Sequence, residues 1–384
     1  MWRSIASNAL TLFIVGLVLL GGVVLWGKGQ YVNPGPLAEA ICLKVETGSN
    51  MRRVSDELAK QGAVSNAQIL RIGADYSGKA DQLKAGSFLI PASASMEQIV
   101  DQITRSGRST CGTEVNFRIG IQSAELQVRE LDPTTNRYIE VLAFDPGADE
   151  IPAQYIQITA APDVRYRVTL AEGVTSWQVV QELAQAEFLS GDIDGVPAEG
   201  SLAPDSYELS RGADRAALIA DMEAAQAQIL ADLWQGRAEG LPLNSPEEAL
   251  ILASIVEKET GVAGERPQVA SVFINRLTKG IRLQTDPTVI YGLTNGKGAL
   301  GRGLRQSELR RDTPYNTYII DGLPPTPIAN PGRASIEAAL NPAETNYLYF
   351  VADGSGGHAF AETLAEHNRN VADWRKIEAE RAKQ

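Results

Sequence analysis

Residues 245–261 read SPEEALILASIVEKETG. Ser245 can cap a helix, Pro246 suits the first helical position, and Glu248 completes an S-x-x-E box. Gly261 is a natural stop. Between them, Ala249 to Val256 is interrupted only by Ser254. A helix apolar nearly all round is buried in a globular core. Two carboxylates, Glu257 and Glu259, close this buried run. Residues three and four apart share a face. Glu259 therefore stacks below Ile255, Val256, Leu252 and Ile251, and Glu257 below Ala253, Ser254 and Leu250. The Glu259 stripe is the bulkier and drier of the two. Glu259 also sits in the last turn, where the negative helix pole opposes ionisation. Burial and dipole both raise a carboxyl pKa, as a general acid near neutral pH requires. The competing reading is that both glutamates fray into solvent at the helix end.

The chain around this helix supplies candidates to work with it. RPQVASVFINRLTKG (266–280) reads as a helix with Val269, Val272, Phe273 and Leu277 facing in. In IRLQTDPTVIYGL (281–293), RLQT reads as extended, and Asp286-Pro287 reads as an N-cap followed by proline at the first helical position. That gives Asp286 a structural job, weighed against a catalytic one. Gln284 and Thr285, just before the cap, can face a cleft. DTPYNTYIIDGLPPTPIANPG (312–332) is loop-rich and carries Tyr315, Asn316, Thr317 and Tyr318. Such residues suit hydrogen bonding and stacking with sugars, and ordinary loop packing accounts for them equally. Arg266, Arg276, Arg282, Arg302 and Arg305 cluster nearby in sequence and read mostly as solvated surface.

Other chemistries lack their residues. The only histidines are His358 and His367, so a zinc site built on His would need further ligand types at closer spacing. There is no G-x-S-x-G elbow, no P-loop, and no G-x-G-x-x-G opening a helix after a strand. GSGGHAF (354–360) is a turn before His358. No cofactor or metal is expected, and the chemistry falls to carboxylates. The net charge of −12 over 384 residues argues against nucleic acid and anionic membrane surfaces as main partners, since both reward Lys and Arg. A neutral polymer such as a sugar chain remains open.

NALTLFIVGLVLLGGVVLW (8–26) carries no charge and is long enough to cross a bilayer. Arg3 precedes it and Lys28 follows, which favours a cytoplasmic N-terminus. A cleaved signal peptide would usually have a shorter apolar core and an A-x-A-like site. Neither is present, so residues 1–30 read as a cytoplasmic tip and uncleaved anchor. The Gly- and Pro-containing stretch 27–41 reads as a linker, placed at 31–41 once the anchor ends.

Residues 42–112 alternate short strands (CLKVETG, GSFLIP) with helices (SNMRRVSDELAKQG, AVSNAQILRIGADYSG, SMEQIVDQITRSG), a small α+β module. Cys42 and Cys111 flank it. Outside the cytoplasm they can pair, and two unpaired buried thiols are the alternative. Residues 113–164 read as a β-rich insertion, with strands at EVNFRIGIQSAELQVREL, RYIEVLAFD and QYIQITAAP. VETGSNMRRVSDEL (45–58) weakly resembles LAEGVTSWQVVQEL (170–183), both strand, turn, capped helix. From 165 the chain is mostly helical, including a core stripe in RAALIADMEAAQAQILADLWQGRAEG from Arg215. The fold class expected is α+β with a single N-terminal transmembrane helix.

LASIVEKETGVAGERPQVASVFINRL, RLQTDPTVIYGL, PYNTYIIDGLPPTPIANPG, NYLYFVADGSGGHAF and EHN together resemble the YceG-like endolytic murein transglycosylases, from about residue 166 to the C-terminus. The resemblance implies a LysM-like module at 42–112 and a mostly helical, lysozyme-like catalytic domain at 165–384. The 113–164 stretch is longer than the connection such a protein would be expected to have. The resemblance also implies cleavage within peptidoglycan strands, between N-acetylmuramic acid and N-acetylglucosamine. The catalytic residue it implies is the second glutamate of E-K-E-T, Glu259. That one carboxyl acts first as acid and then as base, leaving a 1,6-anhydro end, so no second carboxylate is required. Glu257, Gln284, Thr285, Tyr315, Asn316 and Tyr318 are the candidates for supporting or orienting it. The implied setting is a bacterial inner membrane with the catalytic domain periplasmic, acting on nascent strands beside peptidoglycan synthases. Two alternatives stay open: a hydrolytic glycosidase using Glu259 with Asp286 or Glu257, and a non-catalytic peptidoglycan-binding membrane protein.

Overall fold

The structure, a computed structural model, describes residues 2–105, 109–148, 150–161 and 163–381, with side chains from Leu10 onward. The chain divides into two compact units: Met1–Val115 with Gln127–Ala143 and Glu150–Arg165, and Asn116–Leu126 with Phe144–Asp149 and Tyr166–Gln384.

Helix α1 (Trp2–Val32) is apolar and long enough to cross a membrane over Leu10–Val32. It runs unbroken through Gly27 and Gly29, so the linker expected from residue 27 begins only after Val32. Glycine costs a helix only about 1 kcal/mol. The last turn here is held by Gln30, which accepts a hydrogen bond from Ser65 Oγ at 3.1 Å.

Strand β1 (Ile41–Val45) pairs antiparallel with β2 (Gly86–Ile90), with Ile41 opposite Ile90. Between them lie α2 (Met51–Lys60) and α3 (Ala67–Tyr76), and α4 (Met96–Arg105) follows. Asn50 and Asn66 cap α2 and α3 by accepting from backbone N–H groups of their first turns. The Ser106-Gly107 end expected for α4 lies outside the described residues. Leu43, Leu58, Leu70, Phe88, Ile99 and Ile103 form one fully enclosed core. Cys42 and Cys111 are joined in a disulfide with Cα atoms 5.9 Å apart.

Strands β3 (Thr113–Ile119), β4 (Ala124–Asp132), β5 (Arg137–Phe144), β6 (Arg165–Leu170) and β7 (Ser206–Leu209) form a sheet of order β5-β4-β3-β6-β7. QYIQITAAP is not a strand: Ala153–Thr159 is a helix, α5. Its β-branched residues favour a strand only weakly, whereas Pro152 fixes the φ of −57° from which the helix starts. Helix α6 (Ser176–Ala184) follows β6 after a turn at Gly173. Gly173 has φ +81° and Gly48, before α2, has φ +80°, so the two weakly similar stretches share one turn geometry. Such angles are open to glycine at little cost.

The remaining elements build the site. They are α7 (Arg215–Gln235), α8 (Pro246–Glu259), α9 (Arg266–Thr278), α10 (Asp286–Thr294), α11 (Gln306–Leu309), α12 (Arg333–Leu340), the antiparallel pair β8 (Tyr349–Ala352) and β9 (His358–Ala361), and α13 (Leu364–Arg381). Helix α8 is the central post. Leu252, Ala253, Ile255 and Val256 are wholly buried against Val269, Ala270 and Phe273 of α9 and Ile336, Ala339 and Leu340 of α12. Each large aliphatic side chain buried this way contributes about 1.5–3 kcal/mol. The one polar interruption, Ser254, donates to Ile251 O at 2.7 Å and accepts from Ile328 N at 3.0 Å, tying the 312–332 loop to the helix.

Candidate active site

Helix α8 starts as its sequence dictates, with Ser245 Oγ accepting from Glu248 N at 3.3 Å. The return half of the capping box differs: the Glu248 carboxylate accepts from Asn244 N at 2.7 Å, one residue before the cap. The end also differs. Thr260 turns extended (φ −141°), and its N–H still reaches Val256 O at 3.2 Å. The helix thus stops at Glu259 without a left-handed glycine, and Glu259 hangs from the negative pole.

The two glutamates separate by their partners more than by their burial. The Glu257 side chain is only 6 % exposed. It accepts from Gly332 N at 3.0 Å, at the start of α12, and lies 3.7 Å from Arg266. It is a strut between α8 and α12. Glu259 has no ion pair among the described residues, and its Oε1 accepts from the hydroxyl of Thr285. Burial is the main force pushing its pKa up. The neighbouring Asp286 charge pushes the same way, while Thr285, His358 and Arg276 oppose.

Glu259 opens into a cavity of about 430 Å³, lined also by Arg276, Gln284, Thr285, Asp286, Tyr318, Tyr349 and His367, with Phe273, Leu283, Phe350 and Leu364. The Gln284–Asp286 segment is not simply extended. Gln284 has φ +48°, a left-handed conformation that costs a non-glycine residue roughly 1 kcal/mol. The loop opposite holds it there. Gln284 N donates to Thr317 O at 3.1 Å, and Thr285 N donates to Thr317 Oγ1 at 3.0 Å. Thr288 Oγ1 donates to Thr285 O at 2.8 Å. Strain enforced by surrounding bonds is typical of sites where side-chain direction matters.

Asp286 is not an N-cap. Thr285 holds the cap position without a side-chain bond, and Asp286 is the first residue of α10. Its Oδ1 accepts from the Tyr318 hydroxyl at 2.6 Å inside the cavity. The proline that makes Asp286 look like a cap suits the first turn of the helix equally well. Burial and the Asp286 charge hold the Tyr318 phenol well above its usual pKa, so it stays a donor.

The other candidates divide. Gln284, Thr285 and Tyr318 share the cavity with Glu259; Tyr315, Asn316 and Glu257 do not line it. Tyr315 donates to or accepts from Thr326 at 2.8 Å and packs 5.0 Å from the Tyr291 ring. Asn316 is fully buried and donates to Glu308 O, Leu309 O and Arg311 O, while its Oδ1 accepts from Tyr318 N at 3.1 Å. It shapes the loop that presents Tyr318.

Arg276, read as surface, is 8 % exposed. It donates to Leu348 O and Leu283 O, both at 2.7 Å, clamping β8 and the strained segment to α9. Tyr349 and His367 stack at 5.1 Å on the cavity wall. Burial and the nearby Arg276 charge hold the His367 pKa down, so the ring is neutral near pH 7. His358 instead pairs with Glu265, Nδ1 to Oε2 at 2.8 Å. Among the described residues no group of three His, Cys, Asp or Glu side chains is placed to hold a metal ion. The arrangement is that of a carboxyl with a raised pKa on one wall, a Tyr–Asp pair beside it, and aromatic rings able to stack on a sugar.

The sequence model of the YceG-like family matches residues 43–136 and 147–373. A Bacillus subtilis protein named endolytic murein transglycosylase is 27 % identical over 92 % of this chain and 90 % of its own length. A Streptococcus pneumoniae protein of the same name is 27 % identical over 94 % of this chain and 64 % of its own. A crystal structure of a YceG-like protein from Listeria monocytogenes is 26 % identical, covers 86 % of this chain and 99 % of that one, and superposes with a TM-score of 0.45.

Proposed function

The chain belongs to the YceG-like family, and from that premise we propose that it is an endolytic murein transglycosylase, the activity for which its Bacillus and Streptococcus relatives are named. The substrate is the glycan strand of peptidoglycan, and the enzyme is a lytic transglycosylase. Glu259 is the single acid–base residue in this proposal. As acid it gives its proton to the glycosidic oxygen between N-acetylmuramic acid and N-acetylglucosamine. As base it then takes the proton of the muramic C6 hydroxyl while O6 bonds to C1 of the same ring. The C1–O4 bond breaks, a 1,6-anhydro end forms, and no water is consumed. The observation that carries this is a carboxyl whose pKa burial raises, facing a sugar-sized cavity.

Around it, Thr285 orients the carboxyl, and Asp286 with Tyr318 supplies negative charge and a hydrogen-bond donor beside the reacting ring. Glu257, Tyr315 and Asn316 support the walls. Asp286 in the same cavity also favours a second reading: with Glu259 it could hydrolyse the bond, as paired carboxylates do in ordinary glycosidases. Mass spectrometry of digested strands separates the two. Anhydro-muramic ends support transglycosylation, and hydrated reducing ends would establish hydrolysis.

The wider proposal treats residues 1–30 as a single-pass anchor with a cytoplasmic N-terminus and a periplasmic catalytic region. Residues 42–112 are proposed as a LysM-like module, 113–164 as an insertion, and 165–384 as a lysozyme-like catalytic domain. The apolar α1 helix supports the anchor. Such an enzyme would cut strands as synthases release them and so end their elongation.

A further inference from the structure

The last turn of α1 carries two contacts to the module. Gln30 Oε1 accepts from Ser65 Oγ at 3.1 Å. The Tyr31 ring lies against Gly73, where a Cβ would sit 2.2 Å from Cε2, so only glycine allows the approach. Gln30 and Tyr31 are consecutive, about 1.5 Å apart along the axis of α1. Ser65 stands just before the Asn66 cap of α3, and Gly73 lies within the helix. Consecutive residues of α1 thus meet both the approach to α3 and its middle, which places this part of α3 at the level of the last turn of α1.

The level of this contact follows from length. The apolar stretch Leu10–Val32 has 23 residues. That is about 35 Å of helix against a hydrocarbon core of about 30 Å. Gln30 and Tyr31 therefore stand at the headgroup layer, where tyrosine is favoured.

The faces of α3 are sorted. Leu70 and Ala74 are buried in the module core. Going round the helix from Leu70, Gly73 falls about 60° to one side, Tyr76 about 120° and Ile72 about 160° on that same side. The other side carries Arg71, Asp75 and Gln68. The flank that meets α1 thus continues into an isoleucine 67 % exposed and a tyrosine 95 % exposed, pointing away from the core. No comparable pair is exposed on the opposite side. Arg71 is paired with Asp56, and Lys79 with Asp101, so the flank offers little free positive charge.

Resting on the reading of α1 as an anchor, we infer that the Ile72–Tyr76 flank of α3 sits in the headgroup layer of the bilayer that α1 spans. The occupant is the lipid surface itself, met through apolar and aromatic contact and not through anionic lipid. The module is held at the membrane instead of swinging on its helix.

The test uses the full chain in phosphatidylcholine vesicles, with the native disulfide intact and one nitroxide at a time, on Val18→Cys, Gln68→Cys, Ile72→Cys or Tyr76→Cys. Oxygen, which partitions into lipid, and a water-soluble nickel chelate report the surroundings of each label. The expected result is that positions 18, 72 and 76 relax several-fold more with oxygen than with nickel, and position 68 the reverse. Adding anionic lipid should change nothing. If 72 and 76 are as open to nickel as 68 while 18 stays in lipid, the anchor stands and the docking is refuted. If 18 is open to nickel, the anchor fails and the inference with it. Shielding of 72 and 76 from both reagents would refute lipid contact in favour of a protein partner.

Discussion

Thr285→Val removes one hydroxyl and keeps the side-chain shape, so it isolates what holds Glu259. Thr285 is 2 % exposed, and its backbone is fixed independently of the hydroxyl, through Thr317 at 3.0 Å and Thr288 at 2.8 Å. The fold should survive. A hydrogen bond to a charged group is worth about 1.5–3 kcal/mol and to a neutral one about 0.5–1.5 kcal/mol. Losing it therefore weakens the carboxylate by about 1 kcal/mol more than the neutral acid. The hydroxyl lowers the Glu259 pKa, so its loss must raise it further. In kcat/KM against pH, the limb that falls as the acid deprotonates should move to higher pH. The plateau should drop by no more than about tenfold, which corresponds to about 1.4 kcal/mol. Asp286→Asn removes a charge that opposes ionisation, so its limb should move to lower pH. The assay is release of soluble fragments from purified strands across pH 4–9, roughly the range in which carboxyl and imidazole groups titrate. The reasoning is refuted if the two variants shift the limb in the same direction, or if neither shifts it.

Three further outcomes follow from the same contacts. Folded Glu259 holds its proton more tightly than the unfolded chain does, so the wild-type protein loses stability as pH rises from about 4.3 toward the raised folded pKa. Glu259→Gln carries no such cost, and the difference in Tm between variant and wild type, followed by calorimetry, should widen in favour of the variant over that window. Removing the Cys42–Cys111 bond, which spans 69 residues, should destabilise the first unit by up to about 4 kcal/mol, read as a lower denaturant midpoint for Cys42→Ser/Cys111→Ser. Arg276→Met strips the Leu283 and Leu348 carbonyls of their donor. It should cost about 2–4 kcal/mol in chemical denaturation, with Arg276→Lys intermediate.

Helix α8 was legible because its signals agree: a capping serine, a proline at the first position, an apolar run and two acids at the end. The two glutamates were harder to separate. Facing predicted a dry Glu259, but Glu257 is also buried, and Gly332 and Arg266 are what make it a strut. Gly332 is 75 residues away in sequence. Asp286 read as a cap because Asp-Pro before a helix fits two adjacent positions equally well. Its true place depends on Gln284 turning left-handed, which the bonds from Thr317 impose. Arg276 lies one turn from surface-like neighbours; its Leu283 carbonyl partner is near in sequence, but the other, Leu348, is 72 residues on. The glycines of 27–41 suggested a linker, yet α1 runs on to Val32 because tertiary contacts outweigh a small local penalty.

The most direct measurement is the product spectrum of purified strands treated with wild type and with Glu259→Gln, both shown to be folded and to bind glycan. Wild type should release fragments ending in 1,6-anhydro-muramic acid, and the variant should release essentially none. Unchanged cleavage by Glu259→Gln would contradict the central claim outright. Loss of cleavage in the variant alongside hydrated reducing ends from wild type would keep Glu259 but replace transglycosylation with hydrolysis.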